Sequence, residues 1–198
     1  MKTWLLFVVF AFMLNFSSYT QVQSDTLRTF RKYKPRSGWG FTVAPTGIYT
    51  RISNQPSVLV GLHAGVNWRG RLAAGVFYYT LPGTLHDETF GNFYYLQKFR
   101  HRGLYVEYTN KGVGFLTMST NLAVGQGTAK LVKSAEEKWQ KFTTITTHVG
   151  FNIRIDRNVF AYTGVGLRLA TQFQAEAVSN EDVSVADIFL GLKMGLFK

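Results

Sequence analysis

The sequence predicts an all-β protein, a closed antiparallel up-and-down barrel of about eight strands. Three observations carry that prediction. From Gly38 onward, apolar residues alternate with small or polar ones at period two rather than ~3.6. The alternating runs number eight. Tight hairpin signals also alternate with longer, more polar connections, so every short turn falls at one end.

Composition narrows the class. The 198 residues leave room for one domain. Cysteine is absent, which excludes a disulfide framework, a zinc–thiolate site, a thiol nucleophile and a cysteine-borne lipid anchor. Aromatics make up 16%, with 19 Gly and only 4 Pro, a mixture that suits strands and close backbone approach. The mean hydropathy of −0.01 does not argue for solubility, because alternating faces cancel in the average. The net charge is +11, yet no basic stripe or nucleic-acid-binding fold accompanies it. Phosphate-rich lipid headgroups therefore suit the charge better than nucleic acid.

Residues 1–20 read as a secretory signal peptide. Lys2 precedes the apolar run Trp4–Leu14, and the small or polar residues Ser17-Ser18-Tyr19-Thr20 follow. The run is well short of the ~20 residues a spanning helix needs. Residues 21–37 form a basic polar leader containing Arg28, Arg31, Lys32, Lys34 and Arg36, read as solvated. Residues 38–198 form the barrel.

In the first strand Trp39, Phe41, Val43 and Tyr49 oppose Gly40, Thr42, Ala44, Thr46 and Thr50. In the second, Val58, Val60, Leu62, Ala64, Val66 and Trp68 oppose Ser57, Gly61, His63, Gly65 and Asn67. The third run, Leu72–Leu81, is apolar on both faces, so parity leaves its inside and outside open. The fourth, about 93–109, sets Leu104, Val106 and Tyr108 against Gly103, Tyr105, Glu107 and Thr109. The fifth, 113 to about 130, sets Leu116, Met118, Leu122 and Val124 against Thr117, Ser119, Asn121, Gly125 and Gly127. The sixth opposes Ile145, Val149, Phe151, Ile153 and Ile155 to Thr144, Thr146, His148, Gly150, Asn152 and Arg154. The seventh opposes Val159, Ala161, Val165, Leu167 and Leu169 to Tyr162, Gly164, Gly166, Arg168 and Ala170. The eighth opposes Ala186, Ile188, Leu190, Leu192, Met194 and Leu196 to Asp187, Gly191, Lys193 and Gly195.

Short turns are expected at Arg69-Gly70-Arg71, Asn110-Lys111-Gly112 and Asp156-Arg157-Asn158. Longer connections are expected near Arg51–Pro56, Pro82–Asn92, Leu131–Gln140 and Gln172–Asp182. The last short turn would make Ile155 and Val159 cross-strand neighbours on one face. An eight-strand lumen is only just wide enough for side chains, so the glycine-rich face is read as inward and the bulky face as outward, towards hydrocarbon. The expected fold is thus a transmembrane β-barrel, closed so that every backbone group is paired. Trp39, Trp68, Tyr49 and Tyr108 fall near strand ends, where aromatic girdles sit.

With this pattern the stretch Gly38–Lys198 resembles the small eight-stranded outer-membrane barrels similar to the barrel domain of outer membrane protein A. Members of that family end on an aromatic residue read by the assembly machinery; here Ile188–Phe197 supplies one, followed by an extra Lys198. The resemblance implies residence in the outer membrane of a Gram-negative cell envelope, insertion by the barrel-assembly machinery, and no cofactor. It also allows a narrow gated channel.

The inward faces carry His63, Glu107, Asn121, His148, Asn152, Arg154, Arg168, Asp187 and Lys193. Buried charges need partners, so these read as a polar network filling the lumen, or as a gate. An Arg168–Asp187 ion pair is expected, with Glu107 reaching Arg154 or Lys193. Lipid A-modifying enzymes share this barrel size and use His, Ser and an acidic residue. Here His63, His148 and Ser119 point inward, whereas a lipid arrives from outside. The outer-loop group His86-Asp87-Glu88 has no nucleophile fixed beside it, so catalysis is not expected. His86 with Asp87 is too sparse for a metal site, and neither Gly112-Val113-Gly114 nor Gly125-Gln126-Gly127 precedes a helix as a phosphate loop would. The expected role is structural or interactive, in a monomer whose basic and aromatic loops contact lipopolysaccharide or an extracellular partner. A narrow channel, a lipid-modifying enzyme and a soluble periplasmic barrel are the alternatives.

Overall fold

The computed structural model describes residues 38–52, 55–86, 95–110, 115–133, 136–171 and 184–196. The signal peptide, the leader, Asp87 and Glu88, Gly112-Val113-Gly114, the Gln172–Asp182 connection and the final Phe197-Lys198 lie outside the described residues.

Among the described residues the strands are β1 (Trp39–Ile52), β2 (Gln55–Trp68), β3 (Leu72–Thr80), β4 (Leu85–His86), β5 (Tyr95–Thr109), β6 (Leu116–Lys133), β7 (Glu136–Asp156), β8 (Val159–Thr171) and β9 (Ala186–Leu196). Each long strand pairs antiparallel with the next, and β9 returns to β1, so eight strands close into a hydrogen-bonded ring. The dipeptide β4 continues beyond β3 along β5, after a bend at Gly83, whose φ of 126° suits glycine. The Trp68–Arg71 hairpin turns through left-handed Arg69 and Gly70, the pair of positive φ angles that matches strand twist.

Two connections expected to be long prove to be strand. β1 runs to Ile52 and β2 begins at Gln55; β6 runs to Lys133 and β7 begins at Glu136. Within those stretches Arg51, Ile52, Gln55 and Pro56, and Leu131–Lys133 and Glu136–Gln140, are therefore ladder, and the longer connections at this end are 81–94 and 172–185. Their polar side chains break the apolar alternation, but the backbone ladder is indifferent to side-chain polarity. The expected Ile155–Val159 pairing is also corrected. Asp156 pairs with Val159 and Arg154 with Phe160, leaving Ile155 at a bulge. An extra residue there lets a two-residue turn close the hairpin.

The bulky faces look outward. Phe41, Leu104, Val165 and Leu190 are each more than 60% exposed, as no water-soluble core would leave them. The open question at β3 resolves the same way: Leu72, Val76 and Tyr78 are exposed, while Phe77 and Tyr79 are buried.

The glycine-rich face does line the lumen, but more bulky side chains share it than the sequence reading placed there. Ile48, Ile52, Leu59, Phe77, Tyr79, Leu96, Phe99, Tyr105, Leu131, Phe142, Tyr162 and Phe189 all point in and are buried. Glycine makes the room. A Cβ on Gly127 would meet the Phe142 ring, one on Gly61 the Tyr79 ring, one on Gly191 the Tyr162 ring, and one on Gly150 or Gly164 the Phe189 ring. Each large side chain lies over a missing one on a neighbouring strand. At Gly127 the atoms met are all of the Phe142 side chain, so Gly127→Ala should destabilise the barrel by about 1–3 kcal/mol. Adding Phe142→Leu should recover most of that loss. Urea unfolding of the four-member double-mutant cycle in micelles measures it; simple additivity would contradict the contact.

Candidate functional site: the barrel interior

Alternation sends every second residue of eight strands into one narrow lumen, and the ring brings those residues together in layers. At the turn end, Lys193 of β9 contacts the Glu107 carboxylate of β5 and donates to Asn152 Oδ1 of β7 at 3.2 Å. Beside them Asn67 Nδ2 donates to Thr42 Oγ1 at 2.9 Å.

The middle layer is aromatic and imidazole-rich. The His63 ring stacks on Tyr105 at 4.8 Å between centroids, and its Nε2 lies 2.5 Å from Tyr79 Oη. His148 meets the Phe189 ring edge-on at 5.0 Å, and Thr46 contacts the Tyr162 hydroxyl. A cavity of about 20 Å³ lies among Thr46, His63, Glu107, Asn121 and His148, space for about one water molecule.

Above this, Arg168 of β8 and Asp187 of β9 face each other at 3.6 Å, both about 2% exposed. Arg168 Nη2 also donates to Thr50 Oγ1 at 2.8 Å, and its guanidinium lies 5.7 Å from the Phe99 ring centroid. His101 contacts Thr144 in the same layer. The loop end is filled by Ile52, Leu59, Leu96, Phe99, Leu131 and Phe142, with Phe99 and Phe142 stacked at 5.2 Å.

Of the nine residues expected inside, His63, Glu107, Asn121, His148, Asn152, Arg168 and Asp187 are buried and Lys193 is nearly so. Arg154 keeps the parity of Asn152, and of the two partners expected within reach of Glu107 it is not the one that meets it. It is half-buried on the last rung before the turn, where its Nε donates to Asp156 O at 3.3 Å, and it is Lys193 that meets Glu107. The adjoining bulge at Ile155 places Arg154 at the rim. His101 was missed, although it lies two residues before the inward Gly103 and so shares its face. The apolar loop-end layer was missed too: Ile52 and Leu131 stand in stretches that read as loop, whereas Leu59, Leu96 and Phe99 lie in expected strands without having been assigned to the inward face.

The fold and interior thus define a small, closed, filled β-barrel, apolar outside, with polar and aromatic layers and an apolar loop-end layer within. No known protein family matches the chain, and no curated protein matches it. Among solved structures it is similar to Neisserial surface protein A, with 13% identity, 82% of this chain and 98% of that one covered, and a TM-score of 0.59. The N-terminal β-barrel domain of OprF from Pseudomonas aeruginosa is similar at 12% identity, 79% and 97% coverage, and a TM-score of 0.57. Ail, the attachment invasion locus protein of Yersinia pestis, solved with the heparin analogue sucrose octasulfate, is similar at 9% identity, 81% and 100% coverage, and a TM-score of 0.53. All three are small outer-membrane β-barrels, and the fold of this chain is theirs.

Proposed function

We propose that the chain is an integral outer-membrane barrel with a structural or interaction role, presenting its loop end to lipopolysaccharide or an extracellular partner. The observation that carries this reading is the inverted polarity of the fold. The outward face carries a continuous belt of Val, Leu, Ile and Phe, while the Arg168–Asp187 and Lys193–Glu107 ion pairs lie inside. Aromatic residues border the belt at the turn end, where Trp39 and Trp68 sit 6.4 Å apart beside exposed Tyr108. The longer connections lie at the opposite end, the arrangement of barrels with short periplasmic turns and longer outer loops.

The interior favours a plug over a pore. The tightly buried layer Ile52, Leu59, Leu96, Phe99, Leu131 and Phe142 stands across the loop end, and a conducting path would have to displace it. The test is to express the whole chain, fractionate the envelope and run the outer-membrane fraction with and without boiling. A band whose mobility shifts on boiling is expected. A soluble periplasmic band that does not shift would overturn the reading.

A further inference from the structure

The outer face carries a second feature that the interior does not explain. Successive rungs can be followed across β3, β5, β6 and β7. One rung holds Val76, Leu104, Val124 and Ile145, all apolar and exposed. Two residues further towards the loop end the rung is Tyr78, Arg102, Gln126 and Thr143, and the next is Thr80, Arg100, Thr128 and Lys141. Beyond that come Lys98 and Lys130, with Lys130 paired to Glu137 at 2.5 Å and lying over the Trp139 ring.

The outward side of the sheet therefore changes from hydrocarbon-compatible to cationic within one rung, roughly 7 Å along each strand. Arg100, Arg102 and Lys141 are exposed and face no carboxylate among the described residues. Together with Tyr78, Gln126 and Thr128 they line a groove of about 550 Å³. On the far side of the barrel, β1 and β2 stay apolar to Tyr49 and Val58, and the outward cation beyond them is Arg51. The charge is thus one-sided as well as banded.

We infer that Arg100, Arg102 and Lys141 form a binding site for the phosphate of an anionic lipid in the leaflet at the loop end. This rests on the membrane placement proposed above. Charge and position both carry it. Two guanidiniums can each take a phosphate through paired N–H donors, and Gln126 and Thr128 offer neutral donors between them. The site adjoins the apolar belt, so a lipid held by its phosphate can lay its chains on Leu104, Val124 and Ile145. A soluble sulfated or phosphorylated sugar would gain nothing from that belt, which is why a lipid is the occupant favoured here.

The test uses the full chain purified from membranes and placed in nanodiscs of zwitterionic phosphatidylcholine, which has no net charge and is the common background for every arm. Binding is measured for diphosphorylated lipid A and for its phosphate-free counterpart, with sucrose octasulfate as a soluble polyanion. Lipid A should bind the wild type at least about tenfold more tightly than the phosphate-free lipid, with an affinity that falls as salt rises. The R100Q/R102Q/K141Q variant should lose that preference, whereas R69Q/R157Q, at the turn end, should keep it. Should the triple variant fail to insert, R102Q alone should still lower the preference about threefold. Equal binding of the two lipids, an unchanged preference in R102Q and the triple variant, or sucrose octasulfate binding as tightly as lipid A would each overturn the site while leaving the membrane barrel intact. A wild-type chain that does not enter nanodiscs would overturn both.

Discussion

Asp187→Ala should cost about 3–5 kcal/mol of barrel stability, the range for breaking a buried ion pair from one side. The Arg168 guanidinium, about 2% exposed inside the lumen, then loses the carboxylate that faces it at 3.6 Å. Asp187→Asn keeps an oxygen acceptor and should lose less. Replacing both partners by apolar residues of similar volume, Arg168→Met with Asp187→Leu, should recover most of the stability, because no charge is then left to desolvate. Urea titration of the folded barrel in micelles, followed by the heat-sensitive gel shift, reads all three. A loss below ~1 kcal/mol in Asp187→Ala would mean that water reaches Arg168 and that this layer is not sealed.

On the outside the sign of the effect tests which solvent the barrel meets. Val165 stands on the outer face of β8 with 61% of its surface exposed. In a bilayer Val165→Arg should destabilise by about 2–4 kcal/mol, the cost of a cation on the lipid face near mid-depth. Equilibrium folding into phosphatidylcholine vesicles measures it. A water-soluble barrel would tolerate the same change within ~0.5 kcal/mol, as exposed positions away from special features do. The two environments therefore give well-separated answers from one substitution.

Ladder geometry explains why some of this was legible beforehand. Side chains alternate strictly along a strand, so a run such as Val58–Trp68 declares its two faces without any tertiary information. The Arg168–Asp187 juxtaposition followed from counting residues back from a shared end. Where that counting crossed an irregularity it failed, as with Ile155 and Val159, since a bulge adds a residue whose presence no local pattern announces. Strand ends failed for a different reason. Beyond the apolar belt both faces can be polar, so Leu131–Lys133 and Glu136–Gln140 looked like loop although they pair as ladder.

By itself the sequence determined the strand count, the order of pairing, the inward placement of most polar residues and the apolar character of the outer belt. These are local properties, set by period-two alternation and turn chemistry. Only the tertiary structure decided how the lumen is filled. Whether a bulky side chain such as Phe142 or Phe189 can point inward depends on the strand beside it and on the stagger that sets a glycine beneath its ring. The same closure brings Lys193 rather than Arg154 to Glu107 and gathers Lys141 with Arg100 and Arg102, 41 and 39 residues before it in the chain, onto neighbouring rungs of one face. Alternation is a property of one strand; packing and charge clustering belong to the ring.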